Sequence, residues 1–194
     1  MIKSKIKMTK TYSYILIIGS IIGLLASFLL MLNTISLIEN PQVDLPCNIN
    51  PFISCSNAIL QEQGQVFGFP NPLLGIVSFS MLLATGIMLA YGARAHKTYW
   101  QLVNLGLLAS FVFVLWFIYQ SLYVLGTLCV YCMVTWSVTW PLFLYTTVWN
   151  YREKHLLENP LLAYISKNHK NILPLFYIIV IVLIIWQFRD YFLY

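Results

Sequence analysis

The sequence predicts an all-α membrane protein that crosses the bilayer five times, and three observations predict it. Of its 194 residues, 60% are apolar and only 9% are charged. Soluble domains carry roughly 25% charged residues, so this chain has too few polar side chains to cover a water-facing surface. The charges are also placed unevenly, and residues 98–151, between Lys97 and Arg152, contain no Asp, Glu, Lys or Arg at all. Finally, the apolar runs lack the two-residue alternation of barrel strands, which leaves helices as the spanning structure. The same composition excludes disorder, which requires low hydrophobicity and high charge. It leaves no stretch long enough for a separate soluble domain, so the chain reads as a single membrane domain over residues 1–194.

Each span follows from length. A helix rises 1.5 Å per residue, so a hydrocarbon core of about 30 Å takes roughly 20 residues. The first span is expected over 11–32, inside the uncharged run from Thr11 to Ile38. The second runs over 72–90, opening on Pro72, a favourable first-turn residue. The charge-free stretch holds two more, 99–124 and 127–149, with a tight turn near Gly126 and a kink at Pro141 in the latter. A fifth covers 172–189, with Pro174 in its first turn.

Lys3, Lys5, Lys7 and Lys10 ahead of the first run resemble the start of a secretory signal peptide. The run is too long for one and lacks a small-x-small cleavage site, so an uncleaved anchor is expected, with Tyr12 and Tyr14 at the interface. A cytoplasmic amino terminus puts 10 of the 11 basic residues inside, leaving only Arg189 outside, as the positive-inside rule requires. The net charge of +5 is then a topology signal and needs no nucleic acid to explain it. The expected location is the cell inner (cytoplasmic) membrane, with the carboxyl terminus outside.

This orientation places all four cysteines on the extracytoplasmic side, where disulfides persist. Cys47 and Cys55 lie on the outer loop 33–71. There Pro41, Pro46, Pro51 and Pro70 discourage a long helix, although Ser54 can cap a short one starting at Cys55. Cys129 and Cys132 lie at the start of the fourth span. Residues three apart share a helix face, and a helix amino terminus favours the thiolate, so Cys129-Val130-Tyr131-Cys132 suits redox exchange. Two cysteine pairs in series, one on a mobile loop and one fixed at the membrane, make a relay for two electrons. Two static staples are the alternative, and four cysteines permit three pairings. The spacing does not fit a zinc knuckle. No His falls within a span, which excludes a haem held by two transmembrane histidines.

In these features the chain resembles the vitamin K epoxide reductase family, specifically its bacterial members that drive disulfide formation. The resemblance rests on Cys47-x7-Cys55, on Phe67-Gly68-Phe69-Pro70-Asn71-Pro72-Leu73-Leu74-Gly75 and on Cys129-x-x-Cys132, in that order, over about residues 10–150. In the analogous quinone-linked oxidases of the DsbB type the order of the two cysteine pairs is reversed. The resemblance implies a four-helix catalytic bundle plus a fifth transmembrane helix. It also implies a quinone-dependent thiol oxidoreductase that oxidises a separate thioredoxin-like (DsbA-type) partner and reduces ubiquinone or menaquinone.

Carried over residue by residue, Cys132 is the thiol beside the quinone, Cys129 its partner, Cys55 the loop thiol that exchanges with Cys129, and Cys47 the outermost thiol. Asn71 matches a position whose amide bonds a quinone carbonyl, though a turn residue ahead of Pro72 is an equal reading. Gln61 stands where members usually carry Ser or Thr, and Trp136 where many carry Tyr. Trp136, Trp140 and Phe143 also have helical spacing consistent with packing or lipid contact. Asn104 and Gln120, costly in hydrocarbon, are expected to face other helices or a cavity. Some family members carry a fused thioredoxin-like domain after the fifth helix, and none is expected here. The rival reading is a small membrane transporter or assembly protein with purely structural disulfides, but a proton-coupled carrier commonly needs an intramembrane acidic residue, and none falls within these spans.

Overall fold

The computed structural model describes residues 2–50 and 52–189, with side chains from residue 9 onward. The expectations resting on the side chains of Lys3, Lys5 and Lys7, on Pro51 and on residues 190–194 lie outside the described residues. Among the described residues there are five long α-helices and one short one: α1 (Ile2–Glu39), α2 (Cys55–Leu60), α3 (Pro72–Ala90), α4 (Lys97–Tyr119), α5 (Val130–Arg152) and α6 (Pro160–Gln187). No strand occurs among the described residues, only two isolated bridges.

The segments Thr9–Glu39, Pro72–Ala90, Lys97–Leu125 and Pro160–Gln187 are long and apolar enough to cross a membrane. The chain is a membrane protein. Helix α5 is not among those four, because Thr135, Thr139, Thr146, Thr147 and Asn150 dilute its hydropathy. Its position explains how it carries them: α5 packs against α1, α4 and α6 and buries Thr139, Thr146, Thr147 and Asn150 within the bundle, with Thr135 half-buried. The expected 127–149 span is therefore a helix by length but not by apolarity.

Helix α1 packs along α3 at close range. A Cβ on Gly23 would lie 2.5 Å from the Phe79 ring, and one on Gly75 would overlap the Ser27 side chain, so both positions require the bare backbone. Helix α1 also runs on to Glu39, well past the expected end at Leu32. Helix α4 continues through a π-helical stretch, Gln120–Leu125, and stops at Gly126, whose φ of +60° makes the expected turn.

Helix α5 passes through Pro141, which has no N–H to offer the carbonyl of Ser137. Tyr177 of α6 donates its hydroxyl to that carbonyl at 2.5 Å. In return, Trp140 Nε1 donates to the carbonyl of Leu173 at 3.3 Å. The rings of Trp140 and Phe176, 4.8 Å apart, fill the space between the two bonds. Helix α6 begins at Pro160 rather than at Ile172, so Pro174 lies inside the helix and not in its first turn.

At the end of the bundle away from the cysteines, Tyr12 is 3% exposed, donates to Thr146 Oγ1 at 2.8 Å and stacks on Trp149. It is a core residue, which corrects its reading as an interface anchor. Tyr14, two positions on, points outward at 60% exposure. Asn104 faces α5 as expected: Thr147 Oγ1 and Asn150 Nδ2 both donate to its Oδ1.

Candidate functional site

The four cysteines meet at one end of the bundle, brought there by two short pieces of backbone. Ser54 N–H donates to the carbonyl of Leu128 at 2.9 Å, and Leu128 N–H to that of Phe52 at 2.8 Å. This bridge joins the loop to the segment ahead of α5. Cys55 and Cys129 each follow a bridged residue by one position, so the bridge sets them side by side. Their sulfurs are 3.6 Å apart.

Cys55 is the first residue of α2, which Ser54 caps by accepting the N–H of Asn57. It is disulfide-bonded to Cys47, which selects one of the three possible pairings. Cys129 and Cys132 are free thiols. Cys129 is not within the helix, as its spacing from Cys132 had implied. Its backbone is extended, and it caps α5, with Sγ accepting the N–H of Cys132 at 3.4 Å. The sulfur takes the place of the usual cap oxygen. All four cysteines are buried, Cys47 at 5% exposure and Cys55 at 0%.

The loop expected to be mobile is held down by Asn48. Its Oδ1 accepts from Ser54 Oγ and from the N–H of Ser56, and its Nδ2 donates to Ser56 Oγ at 2.9 Å and to Asp44 Oδ1 at 3.3 Å. One side chain thus ties both ends of the segment between the two loop cysteines. Leu37 of α1 and Leu45 of the loop, both 3% exposed, join the apolar cluster that encloses the sulfurs.

Next to the thiols lies a cavity of about 300 Å³. Its wall is mostly apolar, with Leu82, Phe113 and Phe117 among its side chains, and it includes Cys129, Cys132, Asn71 and Trp136. That volume is at the lower end of small-molecule pockets, and an apolar wall with a few polar groups is the usual make-up. Trp136 is 5% exposed, with its ring edge-on to Phe117. Trp140 and Phe143 instead pack on Phe111, as helical spacing implied.

Asn71 is a turn residue, as one of its two readings had it, and its side chain also reaches the cavity wall. Its Oδ1 accepts the N–H of Val66, and its Nδ2 donates to the carbonyl of Gln63 at 2.6 Å, so it fixes the turn at Glu62–Gln65 while lining the cavity. Its amide has a second N–H beyond the one given to Gln63. Gln61 is exposed, ends α2 and is not part of the cavity wall. Gln120, half-buried at the start of the π-helical stretch, is also outside that wall.

Sequence reasoning missed several residues. Ser27 and Thr34 of α1 line the cavity, yet in sequence they look like ordinary small residues of an apolar helix. Asn33 donates its Nδ2 N–H to Cys47 Sγ at 3.7 Å. Its only sequence signal was a polar amide at the end of an apolar run. Phe188, just past α6, packs 5.6 Å from Phe52 and so backs the bridged loop.

A helical membrane bundle with a disulfide, two free thiols of which Cys129 is in sulfur contact with it, and an adjoining apolar cavity defines a class: a membrane thiol oxidoreductase. Residues 14–147 match the Vitamin K epoxide reductase family, and the chain belongs to that family. No curated protein matches the chain closely. The family implies an oxidoreductase activity.

Proposed function

We propose that the protein oxidises a thioredoxin-like partner and passes the electrons through its two cysteine pairs to a quinone, in support of disulfide formation. The observation that carries this reading is the 3.6 Å contact between Cys55 Sγ and Cys129 Sγ, with Cys132 three residues on in the cavity wall. In the proposed orientation, the five long helices cross the inner membrane, the amino terminus is cytoplasmic and the cysteine end faces the extracytoplasmic side.

A partner thiolate attacks Cys47 Sγ, the Cys47–Cys55 bond breaks and Cys55 leaves with the electron pair. Cys55 then attacks Cys129 Sγ of an oxidised Cys129–Cys132 pair, and Cys132 leaves as the thiolate at the cavity wall. The second partner thiol releases Cys47, and Cys47 attacks Cys55 to close the loop disulfide and free Cys129. Cys129 and Cys132 now hold two electrons and, as thiols, two protons. When bound, ubiquinone or menaquinone accepts both electrons and both protons to become the quinol, and the Cys129–Cys132 bond re-forms. Asn71 would donate its remaining amide N–H to a ring carbonyl, and Trp136 would pack against the ring. Gln61 receives no ring contact in this scheme.

Purified protein mixed with a reduced thioredoxin-like substrate and a quinone should form quinol. Absence of quinol with the wild-type protein, or full turnover by Cys132→Ala, would refute the scheme.

A further inference from the structure

Helix α1 does not stop where its most apolar stretch ends. Its last turns, from Asn33 to Glu39, rise alongside the loop, and Leu37 and Leu45 seal the loop against them. This extension delivers Asn33, half-buried, to the sulfur of Cys47. Thr34 beside it lines the cavity and returns its hydroxyl to the carbonyl of Leu30. Asn33 therefore sits where the helix passes between the cavity and the loop disulfide.

We propose that Asn33 is a catalytic residue of the thiol relay: its amide N–H, directed at Cys47 Sγ, stabilises the charge this sulfur carries whenever the Cys47–Cys55 bond is made. In that step, which rests on the relay proposed above, Cys47 loses its proton to solvent and attacks Cys55 Sγ of a Cys55–Cys129 bond. The Cys47–Cys55 bond forms, the Cys55–Cys129 bond breaks, and Cys129 leaves with the electron pair. At that moment Cys47 is the nucleophile, and it is active only as the thiolate. Cys47 lies on the loop and caps no helix, so no helix-opening backbone N–H is recorded at its sulfur as one is at Cys129. Cys129, by contrast, receives the backbone N–H of Cys132 at the start of α5. A side-chain amide at 3.7 Å gives Cys47 the donor that the fold gives Cys129 through the backbone. A hydrogen bond to a charged group is stronger than one between neutral groups, so this donor acts mainly on the thiolate.

The test is the reactivity of Cys47 in the fully reduced, full-length protein. Iodoacetamide labelling is quenched at intervals, and modification of each cysteine is read by mass spectrometry of its peptide. At neutral pH, Asn33→Leu should slow alkylation of Cys47 about tenfold, and the pH at which labelling reaches half its maximum rate should move upward. Asn33→Asp, of the same shape but lacking the donor and bearing a negative charge, should slow it further, and Asn33→Gln should retain most of the wild-type rate. Labelling of Cys129 should not change. An unchanged or faster reaction at Cys47 in Asn33→Leu or Asn33→Asp overturns the proposal. Loss of the fold would expose the sulfur and speed the reaction, so it counts against the proposal too. Neither quinone nor protein partner enters the assay, so failure of the quinone reaction and failure of this inference are separate results.

Discussion

If Cys55 and Cys129 are the two members of the relay that exchange with one another, a protein retaining only that pair should cross-link itself. In the variant carrying Cys47→Ser and Cys132→Ser, the two remaining sulfurs start 3.6 Å apart. A disulfide bond is about 2.05 Å long, so the sulfurs need to close by only about 1.5 Å. A modest rotation about the side-chain bonds supplies that without moving the backbone, because the bridge between Ser54 and Leu128 already holds the two segments in register. The local concentration of each thiol at the other should then exceed the millimolar range typical of flexible tethers. Mild oxidation with diamide should give a nearly complete Cys55–Cys129 bond even with about 1 mM competing glutathione present. The readout is a mass-tagged maleimide, which would find no free thiol. The companion variant, retaining only Cys47 and Cys132 at opposite ends of the relay, should keep both thiols open to the tag or to glutathione. Persistent free thiols in the first variant, or equal cross-linking in the second, would refute the placement of Cys55 against Cys129.

Other expectations follow from single contacts. Asn48→Ala removes the side chain that ties Ser54, Ser56 and Asp44 together. The Cys47–Cys55 bond should then be reduced by dithiothreitol about tenfold faster, as read by time-resolved alkylation, in line with losing roughly 1.5 kcal/mol of local hydrogen bonding. Tyr177→Phe leaves the Ser137 carbonyl opposite Pro141 without its donor. It should cost about 1 kcal/mol, measured as a lower unfolding midpoint in detergent, with quinol formation retained. Gly75→Leu forces a side chain onto Ser27 at the cavity wall. It should destabilise the bundle by about 1–3 kcal/mol and lower quinol formation, a combination that thermal melts and turnover assays test together.

Much of this architecture was legible in the sequence because sparse charge marks its own boundaries. The turn at Gly126 and the start of α3 at Pro72 are where residue chemistry placed them, since a positive φ and a missing N–H are local properties. The start of α6 was misplaced for a physical reason. Lys167 and Lys170 look like the end of an apolar run, yet a helix can continue through charged residues, and Asn159 caps this one much earlier by accepting the N–H of Leu161. The thiols were legible as a group, but the side chains that manage them were not. Asn33 and Asn48 reach Cys47 and Ser54 through contacts that no sequence period encodes. Tyr12 was misread because the Trp149 ring that covers it lies far along the chain.

Helix α5 shows why hydropathy is a poor guide to where the chemistry sits. A helix facing lipid is held to apolar side chains, because each buried polar group without a partner costs free energy in hydrocarbon. A helix surrounded by other helices escapes that constraint wherever its neighbours supply partners. Along α5 the partners are present: Thr147 and Asn150 meet Asn104, Thr146 receives Tyr12, and Ser137 receives Tyr177. The same central position that tolerates these groups at one end puts Cys132, Thr135, Trp136 and Thr139 in the cavity wall beside the thiols at the other. Low apolarity and proximity to the site thus share one cause, central position in the bundle. Of the five long helices, the one that hydropathy ranks as the weakest membrane span is therefore the one that brings Cys132 to the cavity.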